Sequence, residues 1–133
     1  MIGILLEISF LAQEEWIMKV ISLDKVAKAK VELEGAENAF KQIPISKADG
    51  APLFSFRVFT IESGGHTPYH QHPYEHVNYV MEGQGFLVSE NGNEQEIRQG
   101  DFALILPNEM HQYRNEMAEG RLVIICAVPK EFE

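Results

Sequence analysis

Three of the chain's five histidines, His70, His72 and His76, stand close together in YHQHPYEHVNY. A fourth, His111, follows LPNEM far along the chain. In extended backbone, residues two apart face the same side, about 6.5–7 Å apart along the strand. The imidazoles of His70 and His72 can therefore converge on one metal ion. Pro73 breaks ladder pairing and turns the chain, and His76 opens the next strand, from which it can return toward the same point. A metal site inside a barrel draws ligands from several strands, which gives His111 a place in the set. The competing reading is a histidine-rich polar loop, with His76 and His111 as structural residues. His66, after Gly64-Gly65, reads as an exposed loop or rim residue, and Glu75 should point away from a metal bound by His76.

The elements that must position these side chains read as β. KVAKAKVELEG is ambiguous between a short helix and an alternating strand. AFKQIPI is a short apolar segment, SKADGAP carries turn signals, and LFSFRVFTIE is rich in aromatic and β-branched residues. SGGHTP should break that strand. HVNYVMEG and GFLVSE are two strands separated by Glu82-Gly83-Gln84-Gly85, and Asn91-Gly92 is a strong hairpin signal. EQEIR pairs back, Gln99-Gly100-Asp101 turns, FALILP is a fully apolar strand, and RLVIICAVP closes the region. Short strands with a turn about every 8–12 residues predict an all-β sandwich or barrel.

The 133 residues make one domain, with 45% hydrophobic and 23% charged residues. A net charge of -9 without a basic run argues against nucleic acid. The lone Cys126 excludes an internal disulfide and a paired-cysteine metal knuckle, and fits a cytoplasmic protein. No apolar stretch reaches the roughly 20 residues that cross a bilayer. MIGILLEISFLAQEEWI lacks a basic start and carries Glu7, so it does not read as a signal peptide. Met18 opens MKVISLDKV, which resembles a start. Residues 1–17 are then an extension of unknown role before a domain over 18–133.

GGHTPYHQHPYEHVNYVMEG and GDFALILPNEMHQYRN together resemble the two motifs of the cupin superfamily. The first motif of that family is a glycine, HxH, a glutamate and a glycine at set intervals. Here the series is Gly64, His70-Gln71-His72, His76 and Gly83, spanning residues 64–83. The second spans 100–115, with Gly100, His111 and Asn115 in place. Two departures stand out. His76 occupies the glutamate position. Pro107 is one place late, and the glycine of the family's Pro-x-Gly is missing, although the Gly100-to-His111 length is kept. The resemblance implies an all-β, cupin jelly-roll-like β-barrel in a single domain, usually a homodimer. It also implies one divalent metal held inside by His70, His72, His76 and His111, as in small bacterial and archaeal cupins with manganese.

Four neutral imidazoles would leave the full charge on the ion and favour chelating or anionic oxygen ligands. By affinity, imidazole also suits Fe, Ni, Cu or Zn. Asn115, Tyr79 and Gln84 are candidates for holding the imidazoles through their outer nitrogens. Arg57 reads either as an exposed strand residue or as a cavity group that binds a carboxylate. Cys126 reads as core packing or pocket lining. The favoured activity is a metal-dependent, dioxygenase-type oxidoreductase acting on a small oxygenated or anionic substrate. One alternative is an isomerase or lyase on a small sugar or keto acid, for which Tyr69, Tyr79 and Glu75 are the available acid–base groups. The other is a small-molecule or metal-binding module without catalysis.

Overall fold

The computed structural model describes residues 18–133; the extension expected over residues 1–17 lies outside them. Nine strands follow in order: β1 Ala29–Lys30, β2 Glu37–Ile45, β3 Phe54–His66, β4 His76–Glu82, β5 Gln84–Val88, β6 Glu94–Arg98, β7 Phe102–Ile105, β8 Gln112–Arg114 and β9 Leu122–Pro129. All their pairings are antiparallel. They form one sheet in the order β6-β5-β8-β3-β9-β4-β7, with β2 beside β3 and β1 beside β2, curled into a half-barrel. The expected all-β jelly-roll class is the observed one. Among the described residues, helix is limited to four three-residue 3-10 turns. No described helix is long and apolar enough to cross a membrane.

The ambiguous KVAKAKVELEG segment forms only the two-residue β1 and no helix. Asn91-Gly92 turns the β5–β6 hairpin as expected, with both residues at positive φ and Val88 opposite Glu94. SGGHTP does not break β3, which continues through Gly64 and Gly65 to His66. Backbone crowding explains why glycine stands there. A side chain at Gly65 would sit 2.6 Å from the Glu37 carbonyl oxygen, so only glycine lets β2 approach while β3 bulges. Gly83 is the whole connection between β4 and β5. Those two strands do not pair: β4 lies between β9 and β7, whereas β5 lies between β8 and β6. The apolar β7 is an edge strand, which leaves Phe102 76% and Leu104 56% exposed while Ile105 turns inward.

Two-residue alternation fixes what faces the interior. Register aligns Arg57, Cys126 and Asn78 across β3, β9 and β4; the next inward row is Phe59, Ile124 and Val80, and then come Ile61 and Leu122. The deeper rows join Ala39, Ile97, Ile105 and Tyr113 in the apolar core. That core closes one end of the interior. The row carrying Arg57, Cys126 and Asn78 stands beside the open space at the other end.

Candidate metal centre

The four histidines of the two motifs line that open end, His70, His72 and His111 as one close group and His76 against His111. His70 and His111 lie opposite each other in an isolated β-bridge, with His70 N–H donating to the His111 carbonyl at 3.1 Å and His111 N–H to that of His70 at 2.9 Å. Two residues on, His72 leaves the ladder, and its carbonyl accepts the Asn108 N–H. HxH therefore sits in extended chain with a single bridge at His70 and not in a full strand. His76 opens β4 and is buried at 4% exposure, and His111 at 5%. Ring centroids are 4.1 Å apart for His70–His72, 4.9 Å for His70–His111, 5.2 Å for His72–His111 and 4.9 Å for His76–His111.

The missing glycine of the second motif finds a substitute here. Leu106 to Glu109 form a turn closed by Glu109 N–H on the Leu106 carbonyl, and Asn108 takes a φ of 66°. Asparagine tolerates that left-handed conformation better than most residues, and Pro107 presets the position before it. The same turn presents the Glu109 carbonyl to His111 Nδ1 at 2.8 Å.

Hydrogen bonding then decides where the lone pairs point. A carbonyl only accepts, so His111 carries its proton on Nδ1 and a lone pair on Nε2. His76 Nδ1 faces the Asn78 side-chain oxygen at 3.2 Å, which likewise leaves Nε2 as the bare nitrogen. These two bare nitrogens stand 3.3 Å apart. Two lone pairs repel at that range unless a cation lies between them. Adjacent donors around an ion bonded at ~2.0–2.1 Å would be about 3–3.4 Å apart, so this pair fits a metal ion. His70, His72 and His111 each offer a ring nitrogen within 4.8 Å of the others.

The histidines are held in the neutral, ligating form. Burial pushes His70 and His76 down to about 4 and His72 to about 3, and it lowers His111 as well. Neighbouring imidazoles and the Arg57 charge add to the depression at His70 and His72. The Asn78 hydrogen bond opposes it at His76, and the Glu109 carbonyl opposes it at His111.

A cavity of about 380 Å³ opens in front of the cluster, a volume suited to a small organic molecule. Arg57 lines it and is only 8% exposed, so the cavity-facing alternative is the observed one. Cys126 also lines the cavity, with Sγ 3.1 Å from Arg57 Nη2 and 3.4 Å from His76 Nδ1. Burial pushes its thiol up. Tyr74 stacks on His72 with centroids 4.8 Å apart, and on Phe132 at 4.1 Å.

The structure does not bring Tyr79, Gln84 or Asn115 to the histidines. Tyr79 points out of the barrel against the Phe102 ring at 4.8 Å. Gln84 lies past the Gly83 crossing, in a separate surface groove with Arg98 and Glu116. Asn115 is buried, but its amide donates to the Ile61 and Gly120 carbonyls and accepts the Met117 N–H, so it ties backbone together. Tyr69 is 43% exposed and donates to the Ser89 carbonyl, Glu75 is exposed, and His66 contacts Gln112 and the Thr67 carbonyl outside the cavity. The overlooked groups are Asn78 and Tyr113. Asn78 orients His76 and donates to the Tyr113 hydroxyl. Its position two residues after His76, on the same strand face, was the available signal.

A curled antiparallel half-barrel with histidines from HxH, β4 and the approach to β8 converging on an interior cavity defines a small barrel with a candidate metal centre. The family model for the cupin domain matches residues 57–128, more than half of the chain. The chain belongs to this cupin family. Among solved structures it is similar to the polyketide cyclase RemF from Streptomyces resistomycificus, with 28% identity over 85% of this chain and 80% of that one and a TM-score of 0.80. It is also similar to a cupin 2 domain-containing protein from Halorhodospira halophila, at 27% identity over 78% of each chain and a TM-score of 0.65. A predicted oxalate decarboxylase from Thermotoga maritima shares the fold, at 18% identity over 84% of this chain and 99% of that one, with a TM-score of 0.73. No curated protein sequence matches the chain.

Proposed function

We propose that this cupin is a metal-dependent enzyme of the dioxygenase type, acting on a small oxygenated or anionic substrate. His70, His72, His76 and His111 would hold one divalent ion, with manganese favoured. The observation that carries the reading is the pair of bare Nε2 atoms of His76 and His111 at 3.3 Å, each imposed by an acceptor at Nδ1. The ion would supply a Lewis acid for a substrate oxygen and open coordination positions beside the cavity. The protein's own groups then hold and orient the substrate. Arg57 places positive charge on the cavity wall. The Tyr113 hydroxyl accepts from Asn78, which leaves its own O–H for a substrate oxygen; burial raises its pKa and keeps it protonated.

The carboxylates lining the cavity are Glu32, which is exposed, and Glu133, which is engaged by Ser55 and the Lys47 N–H. Neither is in contact with a histidine. This arrangement favours metal-centred oxidation over an isomerase or lyase that needs a carboxylate base. The likeness to a polyketide cyclase supports a second reading, ring closure of an oxygen-rich substrate activated at the same ion.

Metal content of protein purified without added metal should approach one ion per chain, and fall in His72→Ala and His111→Ala. Full occupancy in both variants would sink the assignment. Substrate turnover that consumes oxygen separates the two readings, because cyclisation proceeds equally well under nitrogen.

A further inference from the structure

The chain has 20 acidic residues, yet Arg57, its most deeply placed guanidinium on the cavity wall, joins no ion pair among the described residues. Its Nη2 meets a thiol at 3.1 Å, a weak acceptor, and the neutral Tyr74 side chain is its other polar neighbour on the cavity wall. Its Nε is the sole buried side-chain nitrogen or oxygen without a hydrogen-bond partner among the described residues. The guanidinium carbon also lies over the Phe59 ring, 5.1 Å from its centroid. Lys41, from β2, lines the same cavity. Its pKa is lowered by burial first and by the Arg57 charge second, with the Glu133 carboxylate opposing, so the two cations share one wall and the nearby carboxylate acts on Lys41.

A buried guanidinium without an anion is costly, and replacing buried charge with apolar packing is often neutral or stabilising. Keeping one beside a cavity makes sense when a ligand brings the missing charge. The fork matches a planar carboxylate through two parallel hydrogen bonds. Across the thiol of Cys126 the guanidinium is connected to His76 by contacts of 3.1 and 3.4 Å, so an anion there also lies beside the histidines.

We infer that Arg57, with Lys41, forms a carboxylate clamp, and that the substrate is a small monocarboxylate with a second oxygen directed at the histidine cluster. This deepens the proposed function and rests on it for the role of that second oxygen.

Calorimetric titration of salicylate, its neutral amide salicylamide, and inorganic phosphate tests the clamp. It is run on the full chain as purified and after chelator treatment, with metal content measured on the same samples. Salicylate should bind in both states, with salicylamide and phosphate each weaker by about tenfold or more. Arg57→Met should weaken salicylate by about 10- to 100-fold, with metal content unchanged and a thermal midpoint no lower than that of the wild type. Arg57→Lys, which keeps charge but loses the fork, should fall between them, and it decides the matter if the methionine variant does not fold. Equal affinity for salicylate and its amide, tighter binding of phosphate, no binding of salicylate, or wild-type affinity in Arg57→Lys would each overturn the clamp. A carboxylate preference in a chain that holds no metal as purified sinks only the metal-dependent reading; a metal-replete chain without the preference sinks only the clamp.

Discussion

Replacing Asn78 with leucine removes the side-chain amide that ties His76 to the barrel wall. Asn78 is 2% exposed, and its amide serves two buried partners, His76 Nδ1 at 3.2 Å and the Tyr113 hydroxyl. Leucine has nearly the same shape, so the loss is one of hydrogen bonding and not of volume. Each stranded partner costs about 1–3 kcal/mol. The expected destabilisation is therefore about 2–6 kcal/mol, a large share of the ~5–15 kcal/mol of a typical domain. Metal affinity should fall by about 10- to 100-fold, the usual effect of removing a group that orients a ligating histidine. Urea unfolding of the metal-free protein gives the first quantity, and competition with a chromophoric chelator gives the second. Tyr113→Phe removes half of the relay, so the double variant should lose less stability than the two single losses together. If Asn78→Leu folds and binds metal as tightly as wild type while His76→Ala does not, the lone-pair argument at His76 Nε2 is refuted.

The histidine cluster makes stability depend on pH. Above 6.5 the imidazoles are neutral in both folded and unfolded chains. Below it the unfolded chain binds protons that the fold excludes, because His70 and His76 titrate at about 4 and His72 at about 3. Stability of metal-free protein should thus fall from pH 6.5 toward pH 4 and level off near pH 3 as far as these groups are concerned. Denaturation midpoints at pH 7.5 and 5.0 measure this, and His72→Gln should flatten the slope; an identical slope in the variant counts against the reasoning. Gly83→Ala should destabilise the fold by about 2–5 kcal/mol, because φ is 84° and an added Cβ would press into the Arg121 carbonyl oxygen. A thermal midpoint within a degree of wild type would show that β4 can enter β5 by another path.

Residue order alone specified the local pieces. HxH before Pro73, the Asn91-Gly92 hairpin, the Gly83 connection and the β-rich periodicity are all consequences of short-range sterics and two-residue alternation, so they were legible without a fold. Alternation also puts Asn78 on the His76 face and gives Tyr79 the opposite parity. Tertiary structure decided the rest. Whether Arg57 faces solvent or cavity depends on the curl of the sheet, since either face of β3 carries apolar neighbours. Gln84 directly follows the first motif and Asn115 closes the second, yet the Gly83 crossing carries one away from the cavity, and the backbone carbonyls of Ile61 and Gly120 engage the other. The bare nitrogens of His76 and His111, 35 residues apart in sequence and 3.3 Å apart in space, face each other only because a carbonyl and an amide from the folded wall occupy their other sides.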